Sequence, residues 1–260
     1  MIYTTHSPFL VDTSNIDRAK VVYSDDDGLT VVSSDLRAAD DKLNEKSIYA
    51  VHAAMGLSVS DILLQGCQPI IVEGPSDQHY FNAMKLYLIR NKKYVPNMEL
   101  VFMPSGGVRG VAGVVSIVSG KDGELPLVIL DADGSGKSAK NKLQSGLYKH
   151  NTDAIIDVGE FLDFENGEVE DLLPPRLMAR QISRLFRDVE DEEFEDFLAT
   201  GQAIVPQVEA FAKKYNIDLP KGWKVDVARG VKQQIQKAKT NVIPDEYLAK
   251  WETLFNKFNR

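Results

Sequence analysis

Continuous apolar runs alternate with segments of helical spacing in the central part of the chain. The runs occupy residues 69–72, 100–103, 127–130 and 154–158, and they are short and mostly Val, Ile and Leu. Between the first two runs, residues 76–91 carry large apolar side chains at the three- and four-residue spacing of a helix. Buried strands that alternate with helices are typical of a parallel sheet covered on both faces. The pattern therefore predicts an α/β fold with a Rossmann-like parallel-sheet core.

The segments on either side of this core have different patterns. Two apolar runs within residues 20–32 flank Asp25-Asp26-Asp27-Gly28, which predicts a β-hairpin with Asp-Gly at its turn. Residues 35–65 have helical spacing. Further helices, punctuated by prolines, are predicted at residues 172–186, 192–198, 205–215, 225–238 and 246–258. We therefore predict three regions, which are residues 1–67, an α/β domain of residues 68–175, and a largely helical domain of residues 176–260.

The charge balance excludes one way of binding nucleic acid. The 260 residues include 38 acidic and 30 basic side chains, which gives a net charge of −8. This balance excludes a broad cationic surface that binds nucleic acid by charge alone. Binding of a duplex would need a local basic patch, and the candidates are residues 90–93, 137–142 and 232–239.

Cysteine content and hydropathy indicate the compartment. Cys67 is the sole cysteine, which excludes an intramolecular disulfide and a multi-cysteine zinc site and fits a reducing cytoplasm. No apolar stretch approaches the length of a membrane span, and the first residues lack the basic and apolar segments of a signal peptide. We therefore expect a cytoplasmic protein that does not act at a membrane.

Three acidic residues stand where predicted strands end. Glu73 follows the first apolar run, and Asp131 and Asp133 follow the third. Sites in parallel α/β sheets form beyond the carboxyl ends of the strands. If the two strands are neighbours, the carboxylates converge and repel one another unless protons or divalent metal ions neutralise them. Hard oxygen ligands favour Mg²⁺ or Mn²⁺, and two such ions support phosphodiester cleavage. The alternative is that these acids are helix caps and turn formers.

The same acids carry a family resemblance. Ile71-Val72-Glu73-Gly74 with Asp77, followed by Leu130-Asp131-Ala132-Asp133, resembles the Toprim domain of topoisomerases, primases and related nucleases. Near the start of the chain, Tyr3-Thr4-Thr5-His6-Ser7-Pro8 resembles the switch-histidine end of an ABC-type ATPase domain. An ATPase tail that runs into a Toprim domain is the arrangement of the overcoming-lysogenization-defect (OLD) family of nucleases. The resemblance identifies residues 1–67 as the end of the ATPase domain and residues 68–175 as a Toprim-type catalytic domain.

The OLD resemblance implies a DNA endonuclease with two divalent metal ions, Mg²⁺ or Mn²⁺. By position, Glu73 and Asp77 would hold one metal ion, and Asp131 and Asp133 would hold the other. A further acid is expected after the last Toprim strand, where Glu170 is the better match and Glu168 the alternate. Taken by themselves, Glu168, Glu170 and Asp171 also fit the first turn of a helix, where acids favour the helix dipole.

The resemblance also implies a late lysine that stabilises charge on the phosphate, where the chain returns to the site near residues 221–226. Lys224 is the better match and Lys221 the alternate. An ordinary exposed lysine is the other interpretation of Lys224. Glu73, Asp131 and Lys224 are then the catalytic residues. The implied partners are DNA and the protein's own N-terminal ATPase domain, with a homodimer for the full-length protein.

Two other functions remain open at this point. The chain could be a Toprim nuclease that processes RNA, or a non-catalytic nucleic-acid-binding module stabilised by a metal ion. ATP hydrolysis by a P-loop is not expected. Gly134-Ser135-Gly136-Lys137-Ser138 resembles that motif, but Asp131 stands where its first glycine is required.

Overall fold

The computed structural model describes two separate units of the chain. Residues 1–66 and 117–124 form one unit, and residues 67–116 and 125–260 form the other. The structure describes residues 20–24, 29–33, 66–118, 125–238 and 241–259.

A β-hairpin is the described part of the first unit. Strands β1 (Val21–Ser24) and β2 (Thr30–Ser33) pair antiparallel, with Val22 opposite Val32. This confirms the two predicted strands. The predicted Asp-Gly turn, the helical segment of residues 35–65 and the motif around His6 lie outside the described residues.

A four-stranded parallel sheet forms the core of the second unit. Its strands are β3 (Cys67–Val72), β4 (Glu99–Pro104), β5 (Leu127–Leu130) and β6 (Ile155–Asp157), in the order β4-β3-β5-β6. The apolar runs form these strands because their Val, Ile and Leu side chains suit a surface buried on both faces. Ile70, Ile71 and Val128 are completely buried. The predicted α/β fold with a parallel sheet is confirmed.

The strand order places a crevice between β3 and β5. The chain runs from β3 to its neighbour β4 on one side, and it then returns to form β5 on the other side of β3. Ile71 pairs with Val128 across these two strands. In open α/β sheets, ligands bind beyond the carboxyl ends of the strands at this kind of switch point. Glu73 and Asp131, which follow β3 and β5, therefore stand at the two sides of that crevice.

Helices surround and extend the sheet. Helices α1 (Pro75–Arg90), α2 (Val111–Val118) and α3 (Gly134–Ser145) lie between successive strands. Five more follow in the described residues, which are α4 (Pro175–Ile182), α5 (Phe194–Phe197), α6 (Ile204–Lys214), α7 (Trp223–Lys237) and α8 (Asp245–Asn256). Short 3₁₀ helices occupy Val108–Gly110, Thr152–Ala154, Val158–Phe161, Val169–Leu172 and Ser183–Phe186. Within these ranges, no helix combines the length and the hydrophobicity needed to span a bilayer.

Two predicted helices differ from the observed ones. The segment predicted as a helix over residues 172–186 is broken, and its α-helix begins only at Pro175. Proline lacks a backbone N–H and has the fixed φ of a first helical turn, so it starts a helix rather than continuing one. The segment predicted over residues 192–198 contracts to a single turn.

An aromatic cluster fixes the C-terminal helix to the sheet unit. The ring of Trp251 on α8 lies 5.3 Å from that of Phe81 on α1, and Phe81 stacks on Phe102 of β4 at 5.0 Å. The Trp251 indole N–H donates to the Leu172 carbonyl at 2.8 Å. Because Leu172 ends the 3₁₀ helix that carries Glu170, this contact positions an acid of the candidate site.

Candidate functional site

The acids that follow β3 and β5 are joined directly. The Asp131 backbone N–H donates to Oε1 of Glu73 at 2.9 Å. Asp131 in turn accepts a hydrogen bond at its Oδ1 from the Val169 N–H at 3.0 Å. The two strand-end acids and the 3₁₀ helix of Val169–Leu172 therefore meet at the crevice between β3 and β5. The sequence predicted this convergence on the condition that the two strands are neighbours, and that condition is met.

Asp77 and Asp133 both cap helices. Asp77 lies in the first turn of α1 and is buried, and it accepts hydrogen bonds from the Gly74 N–H at 2.8 Å and the Ser76 hydroxyl at 3.2 Å. Asp133 is the N-cap of α3 and accepts from the Gly136 N–H at 2.7 Å. The capping alternative is thus observed for both residues. A carboxylate oxygen that accepts one hydrogen bond keeps a second lone pair, so a capping acid can still contact a cation.

The acids of the Val169–Leu172 helix have three distinct environments. Glu168 is the N-cap and pairs with Lys224. Asp171 accepts hydrogen bonds from the backbone N–H groups of Glu168 at 2.9 Å and Ile204 at 2.8 Å, so it ties this turn to the start of α6. Glu170 is buried, and its Oε1 has no hydrogen-bond partner among the described residues. Glu170 therefore holds a buried oxygen that is open to a ligand.

Lys224 is the cation of this acidic cluster. It lies in the first turn of α7 and forms an ion pair with Glu168. The pKa of Lys224 is raised, because the carboxylates of Glu170, Glu168 and Asp131 outweigh the burial that lowers it. Lys221, the alternate, is exposed on the turn before α7. The structure therefore brings Lys224 to the acids.

Burial and mutual repulsion raise the pKa values of the acids. Burial is the largest cause for every one, and it raises the pKa of Glu73 to about 7 and that of Glu170 to about 8. The pKa of Asp131 lies well above its usual range, through burial and then the carboxylates of Asp77, Glu170, Glu73 and Glu168. The pKa of Asp77 is also raised by burial, although its hydrogen bonds to Gly74 and Ser76 oppose the shift. These carboxylates lie close enough to repel one another, so the cluster favours protons or cations.

Within the described residues, two buried polar side-chain atoms have no hydrogen-bond partner. They are Oε1 of Glu170 and the hydroxyl of Tyr80 on α1. The pKa of Tyr80 is raised well above its usual range by burial and then by the Glu170 carboxylate, which places these two groups near each other. An unpaired buried polar atom is unfavourable in the absence of a ligand, ion or water.

The donor chemistry fits a hard divalent cation, but the side-chain positions do not yet form a coordination shell. The described residues contain no group of three or more His, Cys, Asp or Glu side chains placed to hold a metal ion. The oxygens of Glu73, Asp77, Asp131 and Asp133 accept backbone N–H groups, and Glu168 binds Lys224. All of these donors are carboxylates, which Mg²⁺ and Mn²⁺ prefer.

The glycine-rich segments near the site have structural roles. Ser105, Gly106 and Gly107 form the turn after β4, where the Gly107 N–H donates to the Glu73 carbonyl at 2.7 Å. Gly106 and Gly107 have φ values of 76° and 108°, which favour glycine. The P-loop-like residues 134–138 form the first turn of α3.

Two residues of the site were missed by the sequence interpretation. Asp171 was treated only as a first-turn acid, yet burial raises its pKa to about 6 and it links two elements. Glu168 and Asp171 occupy the N-cap and N3 positions of a capping box, whose three-residue spacing is visible in the sequence although the motif usually has Ser or Thr and then Glu. Tyr80 has no such local signal, because its neighbours arrive from distant parts of the chain.

Neither protein-family models, nor curated proteins, nor solved structures give a match to this chain.

Proposed function

We propose that this chain is a divalent-metal-dependent DNA endonuclease with a Toprim-type site. The observation that carries the proposal is the meeting of Glu73 and Asp131 at the switch point between neighbouring parallel strands, with Lys224 beside them. Buried acids with raised pKa values in a crevice are candidates for function on physical grounds alone. Their order along the chain also matches the Toprim resemblance.

The residues divide into metal ligands and a cation for the phosphate. Glu73 with Asp77, and Asp131 with Asp133, are the proposed ligands of Mg²⁺ or Mn²⁺. Glu170 is favoured over Glu168 as the further ligand, because Glu168 is paired with Lys224 whereas Glu170 has an unpaired oxygen. When bound, the metal ions supply an activated water and neutralise the leaving oxygen.

Lys224 acts on the phosphate itself in this proposal. Its ammonium is held at the edge of the acidic cluster by Glu168, with 34% of the side chain exposed. A cation placed there before the substrate arrives stabilises the negative charge that develops on the phosphate oxygens. Glu168 then serves to orient Lys224 rather than to bind metal.

The OLD resemblance extends the proposal to a longer protein. Residues 1–67 would then be the end of an ABC-type ATPase domain, and the ATPase would couple nucleotide hydrolysis to the nuclease. His6, which carries that part of the resemblance, lies outside the described residues. The homodimer of the full-length protein belongs to this wider proposal as well.

The direct test is plasmid cleavage by the purified chain with Mg²⁺, with Mn²⁺ and with EDTA. Asp131→Asn removes a central acid without changing side-chain size. Asp226→Asn is the matched control, because Asp226 is an exposed acid in the first turn of α7. We expect nicked or linear plasmid only with metal, loss of at least about 100-fold in Asp131→Asn, and full activity in Asp226→Asn.

Other outcomes separate the alternatives. Cleavage of structured RNA but not plasmid, with the same dependence on Asp131, would favour the RNA-processing nuclease. Metal binding by a folded protein without cleavage of either substrate would favour the binding module. Equal cleavage by the wild type and Asp131→Asn would overturn the proposed site.

A further inference from the structure

An open groove lies between α4 and the C-terminal half of α7. Its volume is about 480 Å³, and it lies away from the acids of the candidate site. Its polar lining consists of Arg180, Gln181, Arg184, Gln233, Gln234 and Lys237. Among the residues that the structure describes, no acidic or aromatic side chain lines it. The groove therefore combines positive charge with amide groups in a chain whose net charge is −8.

The cations of the groove are available to a ligand. Arg180, Arg184 and Lys237 are exposed, and none of them forms an ion pair within the described residues. In the other two basic segments, ion pairs hold one lysine each: Lys93 pairs with Glu252 at 3.2 Å, and Lys140 pairs with Asp157 at 2.9 Å. The third segment contributes Lys237 to the lining of the groove.

The positive surface continues beyond the groove on both helices. Arginines recur at residues 176, 180, 184 and 187, and no acid occurs between residues 172 and 187. On α7, Arg229 and Lys232 face His79 of α1. They lower its pKa, together with burial, which is the largest cause. Arg229 also pairs with Asp226 at 3.1 Å, and Arg176 pairs with Glu195 at 3.9 Å, so acids compensate part of the charge outside the groove.

The groove is built to hold its shape. The Gln181 amide donates to Gln234 Oε1 at 2.7 Å, which links α4 to α7 across the groove. Gly230 lets the two helices approach closely, because a β-carbon there would lie 2.4 Å from the Gln181 side chain. Gln233 is exposed beside them, and its amide could donate to a phosphate oxygen.

We propose that this groove binds the phosphate backbone of duplex DNA. Two arginines and a lysine, with no acid among them, give the groove the positive charge that binds a polyanion. Such side chains mainly contact the phosphates of DNA, which carry no sequence information. The absence of aromatic residues disfavours single strands, which such proteins bind by stacking bases on aromatic rings. The choice of DNA as the polyanion rests on the proposed nuclease function.

The groove lies at a useful distance from the candidate site. Gln234 stands ten residues after Lys224 on the same helix, which is roughly 15 Å along the helix axis. That distance corresponds to about four base pairs at 3.4 Å each. A duplex held in the groove would therefore be anchored a few base pairs away from a phosphate at Lys224.

The test measures binding separately from cleavage. The anisotropy of a fluorescent duplex is measured in Ca²⁺ at several salt concentrations, without the metals of the plasmid assay. The groove variant combines Arg180→Gln with Lys237→Gln. The control combines Lys149→Gln with Lys213→Gln, which removes two exposed lysines elsewhere. We expect the salt slope of the groove variant to fall by about 1.8, with roughly tenfold weaker binding per charge near 0.1 M salt, and the control to match wild type.

Each result decides the proposal. Equal slopes and affinities for the two variants would overturn it, as would a wild type that binds no duplex. A single strand that competes as well as the duplex would overturn the assignment to duplex DNA. Loss of binding in the groove variant, from a wild type that cleaves no plasmid, would support the groove and reject the nuclease. If the groove variant binds duplex as tightly as wild type and still cleaves plasmid, the groove proposal is rejected and the nuclease proposal stands.

Discussion

Glu170 is a buried acid whose charge is poorly compensated. One of its oxygens has no hydrogen-bond partner within the part of the chain that the structure describes, and burial raises its pKa to about 8 although Lys224 opposes the shift. A carboxyl in this state keeps a proton near neutral pH in the metal-free protein. The same environment that disfavours the bare carboxylate favours a divalent cation in its place.

A pH series of the Glu170→Gln variant tests this charge imbalance. The folded pKa of Glu170 is raised from 4.5 to about 8, so the folded state binds an extra proton between these values. The contribution of Glu170 to the free energy of unfolding is therefore fully present below about pH 4.5, and it is lost as the pH rises through about 8. We expect the unfolding free energy of metal-free wild type to fall more steeply across this window than that of Glu170→Gln. Parallel curves in urea denaturation would contradict the assignment.

Tyr80 supplies a second test at the residue scale. Its buried hydroxyl has no partner among the described residues, and such a group destabilises a fold by the loss of its hydration. Tyr80→Phe removes only this hydroxyl. We expect the metal-free variant to be as stable as wild type or more stable by about 1 kcal/mol. A loss of about 1 kcal/mol or more in thermal denaturation would mean that the hydroxyl has a partner.

The turn from β5 into α3 is the element that places Asp131. Asp133 caps the helix through the Gly136 N–H, and a β-carbon at Gly136 would lie 2.0 Å from the Asp131 carbonyl oxygen. Only glycine permits this approach of the helix to the strand end. The local sequence thus fixes the direction of the Asp131 backbone as well as the start of α3.

Alanine substitutions at two glycines of this turn test whether close backbone contact, rather than the mere presence of glycine, matters for stability. We expect Gly136→Ala to lower the unfolding free energy by about 1–3 kcal/mol, because the backbone must move to admit the methyl group. Gly134→Ala is the control in the same turn, since a β-carbon there meets nothing within 4 Å. It should leave stability unchanged or slightly higher. Equal stability losses in chemical denaturation would show that the Asp131 carbonyl is not the obstacle.

The elements of the sheet were predictable because each is a local pattern. Val, Ile and Leu runs gave all four strands of the parallel sheet, and the acids directly after β3 and β5 were identified from their positions alone. The pairing of β3 with β5 was not predictable, because strand order depends on packing between distant segments. The start of the helix at Pro175 was missed, because the apolar spacing continues across the two prolines. Proline lacks a backbone N–H, so the helix begins at Pro175 instead of running through it.

At the scale of the whole molecule, the candidate site is formed by residues that are far apart in the sequence. Glu73 and Lys224 are far apart in sequence, and the packing of α7 on α1 and α4 carries Lys224 to the acids. The Trp251 contact holds the turn of Glu170 from the opposite end of the chain. The sequence suggested Lys224 and Glu170 by resemblance, but no local pattern could have distinguished them from Lys221 and Glu168.

The charge distribution also divides at this scale. Acids gather at the carboxyl ends of β3 and β5, whereas the cations that line the groove between α4 and α7 have no ion-pair partner in the described parts of the chain. A negative net charge is therefore compatible with binding a polyanion at one surface and cations at another. This separation is what the metal-dependent nuclease and the phosphate groove both require.

The most direct measurement of the central claim is a calorimetric titration of Mn²⁺ into the chain near pH 7, in two buffers of different ionisation enthalpy. We predict about two ions bound per chain, with proton release because Glu73 and Glu170 hold protons before metal binds. Asp131→Asn should lose this binding, and Asp226→Asn should retain it. Absence of binding to the folded wild type, or identical binding by Asp131→Asn, would contradict the account.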